Sequence, residues 1–208
     1  MTTDYVAFIA DVRASRHLGT RQRAALQADL SATAREFNAR YRKQLAARFA
    51  VTLGDELQGL FANATPVWVV SHALRARFPA AEWIVACGRG ALSTPLRPGA
   101  AAPELDGPCF HAARAALETA KQQGLVLALA GFDPALSGCA AYYAALYRGW
   151  TARQRALAAT QRAHPDAKLD ALSRLLRASP SSISHLRRRM GWPLVATGDK
   201  VFQDLLSS

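Results

Sequence analysis

The sequence predicts an α+β domain followed by a small all-α domain that contains a basic helix-turn-helix. In residues 1–137, segments typical of strands and helices alternate in the order strand, helix, hairpin, helix, strand, helix, strand. Helical patterns alone fill residues 138–208. From Ala141 onward, eleven Lys and Arg stand against four Asp, so +7 of the formal charge of +11 lies in the last third. We therefore expect two domains with a boundary between residues 137 and 138.

Five β-prone apolar segments form the predicted mixed sheet, and three amphipathic helices are expected to cover one of its faces. The first strand delivers Asp11 to its end, and Gly54 marks the turn of a hairpin between the second and third strands. The predicted strands are 5–12, 47–52, 57–61, 83–87 and 125–130, and the predicted helices are 21–41, 66–78 and 110–122.

The second predicted domain consists of helices and turns up to residue 193. Ser179 has the position of an N-cap and Pro180 that of the first helical residue, which predicts a tight turn between two short helices. The segment 194–208 forms either a wing or a closing helix. The predicted helices of this domain are 140–147, 150–163, 168–176 and 180–190.

The composition is that of a folded protein, since half of the 208 residues are hydrophobic and a fifth are charged. No apolar run reaches the roughly 18 residues that a membrane helix needs, and the first residues lack the basic start of a signal peptide. We expect a cytoplasmic protein without a membrane partner. The spacing of Cys87, Cys109 and Cys139 suggests neither a disulfide framework nor a zinc site.

Carboxylates at the end of the first strand and in the hairpin form a candidate metal site. If the two strands are neighbours, Asp11 and Asp55 offer two oxygen ligands at one sheet edge, a donor set suited to Mg²⁺ or Mn²⁺ together with a nucleotide's phosphates. Glu56 is the weaker candidate, because side chains alternate along a strand. The alternative is that Asp11 caps the following turn and that Asp55 serves the hairpin.

The helix-turn-helix predicts binding of double-stranded DNA, because the N-terminal part of its second helix meets base edges in the major groove. Arginines nearby supply phosphate contacts that add affinity without sequence choice. The candidates for base contacts are Ser181, Ser182, His185 and Arg188, and those for phosphate contacts are Arg174, Arg177, Arg187 and Arg189. The alternatives are a basic domain for protein contacts and a solvated arginine face.

Three segments in this order, FIADVRASR (8–16), FAVTLGDELQGLF (49–61) and DGPCFHAARAALETA (106–120), followed by a helix-turn-helix, resemble the SatD family of bacterial proteins. The N-terminal half is in turn similar to class III nucleotide cyclases. That similarity implies a ferredoxin-like palm domain and a homodimer. It also implies that Asp11 and Asp55 stand at the cyclase metal positions, and Arg114 at the arginine that steadies the transition state.

Two departures from the cyclase pattern argue against cyclisation. Val51 stands where cyclases usually have the Lys that selects the base, and Phe110 stands where they have Asn. Binding of a nucleotide or another phosphorylated ligand remains the expectation. His111 is a candidate proton carrier or phosphate contact beside Arg114, with an ordinary packed histidine as the alternative.

Arg13 and Arg16 follow Asp11 directly and are further phosphate candidates, because the arginine fork matches phosphate oxygens. The alternative is a solvated loop. Together these patterns favour a transcriptional regulator whose cyclase-like domain binds a ligand, dimerises, or does both. The other two hypotheses are a metal-dependent nucleotide-processing enzyme with a nucleic-acid-binding tail, and an interaction scaffold.

Overall fold

The computed structural model describes residues 3–13, 19–52, 55–78 and 81–208. Within these ranges, five strands form one sheet in the order β2-β3-β1-β4-β5. All neighbouring strands are antiparallel except β4 and β5, which are parallel. The strands are β1 (Tyr5–Val12), β2 (Leu45–Val51), β3 (Glu56–Phe61), β4 (Trp83–Gly90) and β5 (Leu127–Ala130).

The order β2-β3-β1-β4, with α1 (Thr20–Arg40) and α2 (Val67–Arg77) on one face, is that of a ferredoxin-like β-α-β-β-α-β unit. The predicted α+β class is therefore confirmed. The structure differs from the prediction in one respect, because helices cover both faces. A third helix, α3 (Pro108–Gln123), packs on the second face, where Ala113, Ala116 and Ala120 are buried.

Coverage on both faces explains why β1 reads as a continuous apolar run. Val6 and Phe8 point into the core beneath α1 and α2, whereas Ala7 and Ile9 point into the core beneath α3. All four side chains are at most 1% exposed. Because side chains alternate along a strand, a central strand covered twice has no polar face.

The small residues of α3 allow this helix to lie unusually close to β4. A Cβ atom added to Gly88 would stand 2.2 Å from the backbone oxygen of Cys109 and 2.3 Å from the backbone nitrogen of Ala113. A side chain at residue 88 would therefore push the helix away from the sheet. The close contact therefore sets the distance between the polar side chains of α3 and the strand ends beneath them.

Five helices follow the sheet: α4 (Pro134–Arg148), α5 (Ala152–Ala163), α6 (Leu169–Leu176), α7 (Pro180–Arg189) and α8 (Trp192–Ser207). The predicted boundary at 137/138 falls within α4, whose Leu136 and Ala140 belong to the core beneath α1 and α2. A separate small core joins α5, α6, α7 and the start of α8, with Leu157, Leu172 and Ile183 at its centre.

The C-terminal segment forms a closing helix rather than a wing. Trp192 and Val195 at the start of α8 belong to the small helical core. Phe202 and Leu206 near its end belong to the sheet's core, where the ring centroids of Phe202 and Trp68 lie 4.2 Å apart. Helix α8 thus joins the helical bundle to the sheet. No helix in the described part of the chain could cross a membrane, and the three cysteines are free thiols.

Candidate functional site

Two acidic residues stand side by side where β1 ends and β3 begins. Asp11 and Glu56 are directly opposed partners in the antiparallel β1–β3 ladder. Opposed residues of such a ladder point to the same face of the sheet. Both carboxylates are largely covered, with side chains 15% and 12% exposed. The covering element is α3, as the basic residues of that helix show.

Arg114 and Lys121 on α3 neutralise these two carboxylates. Seven residues separate them, so two helical turns bring both onto the face that meets the sheet. The Nζ atom of Lys121 lies 2.9 Å from an oxygen of Asp11. Arg114 holds Glu56 with both ends of its fork, and its Nη2 donates to Oε1 at 2.8 Å. We name these four residues, Asp11, Glu56, Arg114 and Lys121, the α3 face.

The two carboxyl groups of the α3 face have opposite pKa shifts. Burial raises the pKa of Asp11 above its ordinary value, and neighbouring Asp55 and Glu56 add to that rise, although Lys121 opposes it. Burial also raises the pKa of Glu56, but hydrogen bonds from Arg114, Gln58 and Thr52 outweigh it and bring the pKa below its ordinary value. Glu56 is therefore the better stabilised anion of the two.

The metal pair predicted from the sequence, Asp11 and Asp55, lies in this environment. Glu56, not Asp55, stands opposite Asp11 in the ladder, while Asp55 is near enough for its charge to raise the pKa of Asp11. In the described residues, one oxygen of Asp55 is buried without a hydrogen-bond partner, and no three His, Cys, Asp or Glu side chains form a metal-binding group. A cation bound to Asp11 would compete with Lys121.

The other predicted residues of this region lie in separate places. His111 is exposed and pairs with Asp106 at 2.9 Å, near the N-terminus of α3. Phe110 is buried in the core beneath α3, and Val51 pairs with Leu57 in the β2–β3 ladder. These two side chains carry neither the charge nor the amide that the resemblance to cyclases leads one to expect at these positions.

Arg13 follows the end of β1 and is joined there to the residue that precedes β4. Its backbone nitrogen donates to the oxygen of Glu82 at 2.8 Å, and its side chain lines a cavity of about 210 Å³ together with Arg148 and Arg155. Arg16 and Gly54 fall outside the described residues.

The predicted helix-turn-helix corresponds to α6, a three-residue turn and α7. Ser179 is the N-cap of α7, and its hydroxyl oxygen accepts a hydrogen bond from the backbone nitrogen of Ser182 at 3.3 Å. Arg177 in the turn adopts a left-handed conformation (φ 50°, ψ 47°), and it is the one non-glycine residue with positive φ among those that the structure describes. Leu172 and Ile183 lock the two helices together.

Seven of the eight residues predicted to contact DNA are exposed, and Arg187 is partly buried. The hydroxyl of Ser179 lies within hydrogen-bond distance of those of Ser181 and Ser182, and Nη2 of Arg188 lies 3.1 Å from Nδ1 of His185. The set, as predicted from the sequence, is Arg174, Arg177, Ser181, Ser182, His185, Arg187, Arg188 and Arg189.

The helical bundle is tied to the sheet domain through Arg162 of α5. Its guanidinium donates two hydrogen bonds, both of 2.8 Å, to Asp199 of α8. Its Nη1 lies 3.2 Å from Nδ1 of His72 on α2. A cleft of about 610 Å³ lies beside this contact and is lined by the helices α1, α2, α5 and α8, with Trp68 and Trp192 among its walls.

Sequence reasoning missed three charged residues that matter here, Lys121, Arg148 and Arg155, and it ranked a fourth, Glu56, only as the weaker metal candidate. Lys121 could have been found, because its spacing of seven from Arg114 puts it on the same helical face. Glu56 needed the strand register, in which one step decides whether residue 55 or 56 opposes Asp11. Arg148 and Arg155 gave no local signal, because only the packing of α4 and α5 against the sheet brings them to Arg13.

Comparison with known proteins gives one match. The model of the SatD family matches residues 5–124, which is more than half of the chain. The matched segment runs from the start of β1 to the C-terminal end of α3 and so contains the whole α3 face. No curated protein and no solved structure matches this chain.

Proposed function

The chain belongs to the SatD family, and from that premise we propose that it is a cytoplasmic transcriptional regulator. In this proposal α6 and α7 bind double-stranded DNA, and the sheet domain binds a nucleotide or another phosphorylated ligand. The resemblance of the sheet domain to nucleotide cyclases, which work as dimers, favours a homodimer. A dimer would place two copies of α7 on a palindromic operator.

The observation that carries the proposal is the exposed surface of α7. This helix contains three arginines and no acidic residue, and its first turn offers the hydroxyls of Ser181 and Ser182. In a helix-turn-helix, the first turns of the second helix reach base edges, and arginines beyond them meet phosphates. We assign base contacts to Ser181, Ser182, His185 and Arg188, as predicted from the sequence.

The turn before α7 adds support. A left-handed conformation costs a residue with a side chain about 1 kcal/mol, and glycine avoids this cost. Arg177 nevertheless occupies that position with its side chain exposed. An arginine at this position could contact a phosphate beside the recognition helix, as Arg174, Arg187 and Arg189 could from the two helices.

Selection from a randomised pool of duplex DNA tests the proposal. The full-length protein is incubated with the pool at near-physiological salt, and the retained DNA is sequenced. We expect a recurrent motif with two-fold symmetry. A variant with Ser181→Ala and His185→Ala should lose the motif, whereas the control Arg42→Gln, an exposed arginine on the sheet domain, should recover it. Retained DNA without any motif would contradict a sequence-specific regulator.

The second candidate function, a metal-dependent enzyme acting on nucleotides, is favoured by the three carboxylates at one strand end. Asp11 and Asp55 could hold Mg²⁺ or Mn²⁺ together with a nucleotide's phosphates, while Glu56 is already bound by Arg114. The cation would have to displace Lys121 from Asp11. Val51 and Phe110 argue against cyclisation, and Arg114 and His111 are the remaining candidates for chemistry.

Removal of the two aspartates separates the candidate functions. A variant with Asp11→Asn and Asp55→Asn should leave selection of a DNA motif by a regulator unchanged in the absence of ligand. Loss of a metal-dependent turnover of nucleotides in that variant would favour the enzyme instead. A protein without DNA binding, ligand binding or turnover would be an interaction scaffold.

A further inference from the structure

A cavity of about 210 Å³ lies where the sheet domain meets the helical bundle. It is bounded by the end of β1, the start of β4, the C-terminal end of α3 and the junction of α4 with α5. Arg13, Arg148 and Arg155 line it, and its wall is more polar than apolar. We name these three residues the arginine pocket. Among the described residues that line the cavity, Glu82 is the one acidic residue.

Two guanidinium groups of the pocket converge on one point. The position that a Cβ atom of Gly124 would occupy lies 3.1 Å from Nη1 of Arg148 and 3.9 Å from Nη2 of Arg13. Within the described residues, none of the three arginines of the pocket takes part in an ion pair. Like charges that approach the same point repel each other, and an anion between them would offset that repulsion.

A fourth arginine stands directly behind the pocket. Arg75 and Arg155 both place their guanidinium groups over the ring of Tyr147, at 5.4 and 5.6 Å from its centre. Arg75 is 6% exposed, and one of its nitrogens donates to the backbone oxygen of Val126. In the described residues, its Nε and Nη1 are buried without a partner. Buried donors normally find an acceptor, so this site lacks one.

A small second cavity of about 20 Å³ adjoins Arg75, and Tyr147 and Arg155 line both this cavity and the larger one. It has room for about one water molecule. Burial lowers the pKa of Arg75, and the charge of Arg162 contributes to this effect. A negative charge in the larger cavity would relieve the cost of burying these cations.

We propose that the arginine pocket binds the phosphate or diphosphate group of a small molecule. Guanidinium forks match the oxygens of a phosphate in geometry and charge, and three of them surround this cavity. The inference rests on the proposed function, in which the sheet domain binds a phosphorylated ligand, and it names the place of binding. That place is not the α3 face, where Arg114 and Lys121 already hold carboxylates.

The position of the pocket gives binding a consequence for DNA. Arg13 belongs to the sheet domain, whereas Arg148 ends α4 and Arg155 lies in the first turn of α5. Helix α5 packs on α6 and α7 in the small helical core. A phosphate held by all three arginines would therefore join the sheet domain to the helix that packs on α6 and α7. The larger cleft beside Arg162 is lined mainly by apolar surface; its cations share the cleft with Glu36 and Asp199, and Asp199 is already paired with Arg162.

Titration of the full-length protein with inorganic phosphate and with pyrophosphate tests the proposal. Heat of binding and melting temperature are measured at constant ionic strength, held with potassium chloride. The variants are Arg13→Gln and Arg148→Gln, both exposed. The matched control is Arg97→Gln, an exposed arginine in the loop after β4, which removes the same charge. Nucleoside mono-, di- and triphosphates serve as further probes.

We expect saturable binding of pyrophosphate at one site in the wild-type protein and in the Arg97→Gln control. Each pocket variant should weaken it about tenfold or more, because each removes a charged hydrogen bond. Without ligand, Arg148→Gln should melt at or above the wild-type temperature, because it relieves a repulsion. Stronger binding of one nucleotide than of pyrophosphate would identify the larger ligand of the same site.

Equal binding in all four proteins would overturn the proposal, as would the absence of saturable binding by every probe. A lower melting temperature of both pocket variants without ligand, together with unchanged binding, would assign the arginines to the C-terminal end of α3 instead. Selection of a DNA motif without any phosphate binding would refute this inference and leave the proposed function standing. Phosphate binding without DNA binding would do the reverse.

Discussion

The α3 face and the arginine pocket are neighbours near the ends of β1 and α3, but their positively charged side chains have different partners. On the α3 face, Arg114 and Lys121 are each paired with a carboxylate of the sheet. In the pocket, no carboxylate is paired with Arg13 or Arg148 in the described residues. Paired charges hold a helix on a sheet, whereas unpaired charges in a cavity are available to a ligand.

The largest expected effect comes from a substitution that pushes α3 away from the sheet and so separates the ion pairs of the α3 face. We expect Gly88→Ala to lower the free energy of unfolding by about 2–3 kcal/mol, because the new Cβ would overlap the backbone of α3. Denaturation by urea measures the change. The matched control is Gly138→Ala in α4, where a Cβ has no atom within 4 Å and a gain of up to about 1 kcal/mol is expected. An equal response of both variants would contradict the close contact of α3 with β4.

The class of the fold was accessible from sequence because it depends on local patterns. A few consecutive residues suffice to predict three of its features: the apolar run of β1, the hairpin of β2 and β3, and the Ser179-Pro180 start of α7. The face on which α3 packs was not accessible. Its alanine stripe predicts close packing of the helix on the sheet, but the same stripe would fit either face of the sheet.

The two candidate sites differ in how much of them a sequence reveals. The segments that carry Asp11 and Arg114 were recognised through a family resemblance, and their true partners Lys121 and Glu56 followed only from helical phase and strand register. The arginine pocket joins residue 13 to residues 148 and 155. No periodicity connects positions so far apart, so packing alone could show their meeting.

The second prediction sharpens the difference between the arginines of the pocket and those of α7. A variant with Arg187→Gln and Arg189→Gln should bind DNA about tenfold more weakly or worse and lower the slope of log K against log salt by about 2, if each arginine neutralises one phosphate. Fluorescence anisotropy at several salt concentrations measures both quantities. The matched control is Arg13→Gln with Arg148→Gln, which removes the same charge. Without a phosphate ligand it should keep the wild-type slope.

The third prediction compares the two carboxylates within the α3 face. We expect Glu56→Gln to lower the free energy of unfolding at neutral pH by about 1–2 kcal/mol, because the side chain is largely covered and loses charged hydrogen bonds. Asp11→Asn should be neutral or stabilising at the same pH, since the folded state raises the pKa of Asp11 and so disfavours its charge. Equal losses in both variants would contradict these opposite shifts.

The pH dependence of the same variants gives an independent check of sign. Stabilisation by Glu56 is complete above its ordinary pKa of 4.5 and is lost as the pH falls through its lowered folded pKa. Stabilisation from the protonated form of Asp11 is complete below its ordinary pKa of 3.8 and is lost as the pH rises through its raised folded pKa. Towards about pH 7, Glu56→Gln should therefore lower the urea midpoint relative to the wild type, whereas Asp11→Asn should leave it unchanged or raise it. Both differences should shrink as the pH falls towards about 3.

The smallest expected effect concerns Arg177, another exposed arginine that has no ion pair in the described residues. We expect Arg177→Gly to raise the free energy of unfolding by up to about 1 kcal/mol, because glycine adopts the left-handed conformation without steric cost. The same variant should weaken DNA binding and lower the salt slope by about 1, since a phosphate contact is removed. Gly191, the N-cap residue of α8 with φ 59° and ψ 43°, supplies the matched control, and Gly191→Ala should lower the free energy of unfolding by about 1 kcal/mol. If Arg177→Gly gained stability and kept the full DNA affinity, Arg177 would have no part in DNA binding. Of Arg177 and the arginines of the arginine pocket, only those of the pocket would then remain candidates for ligand binding.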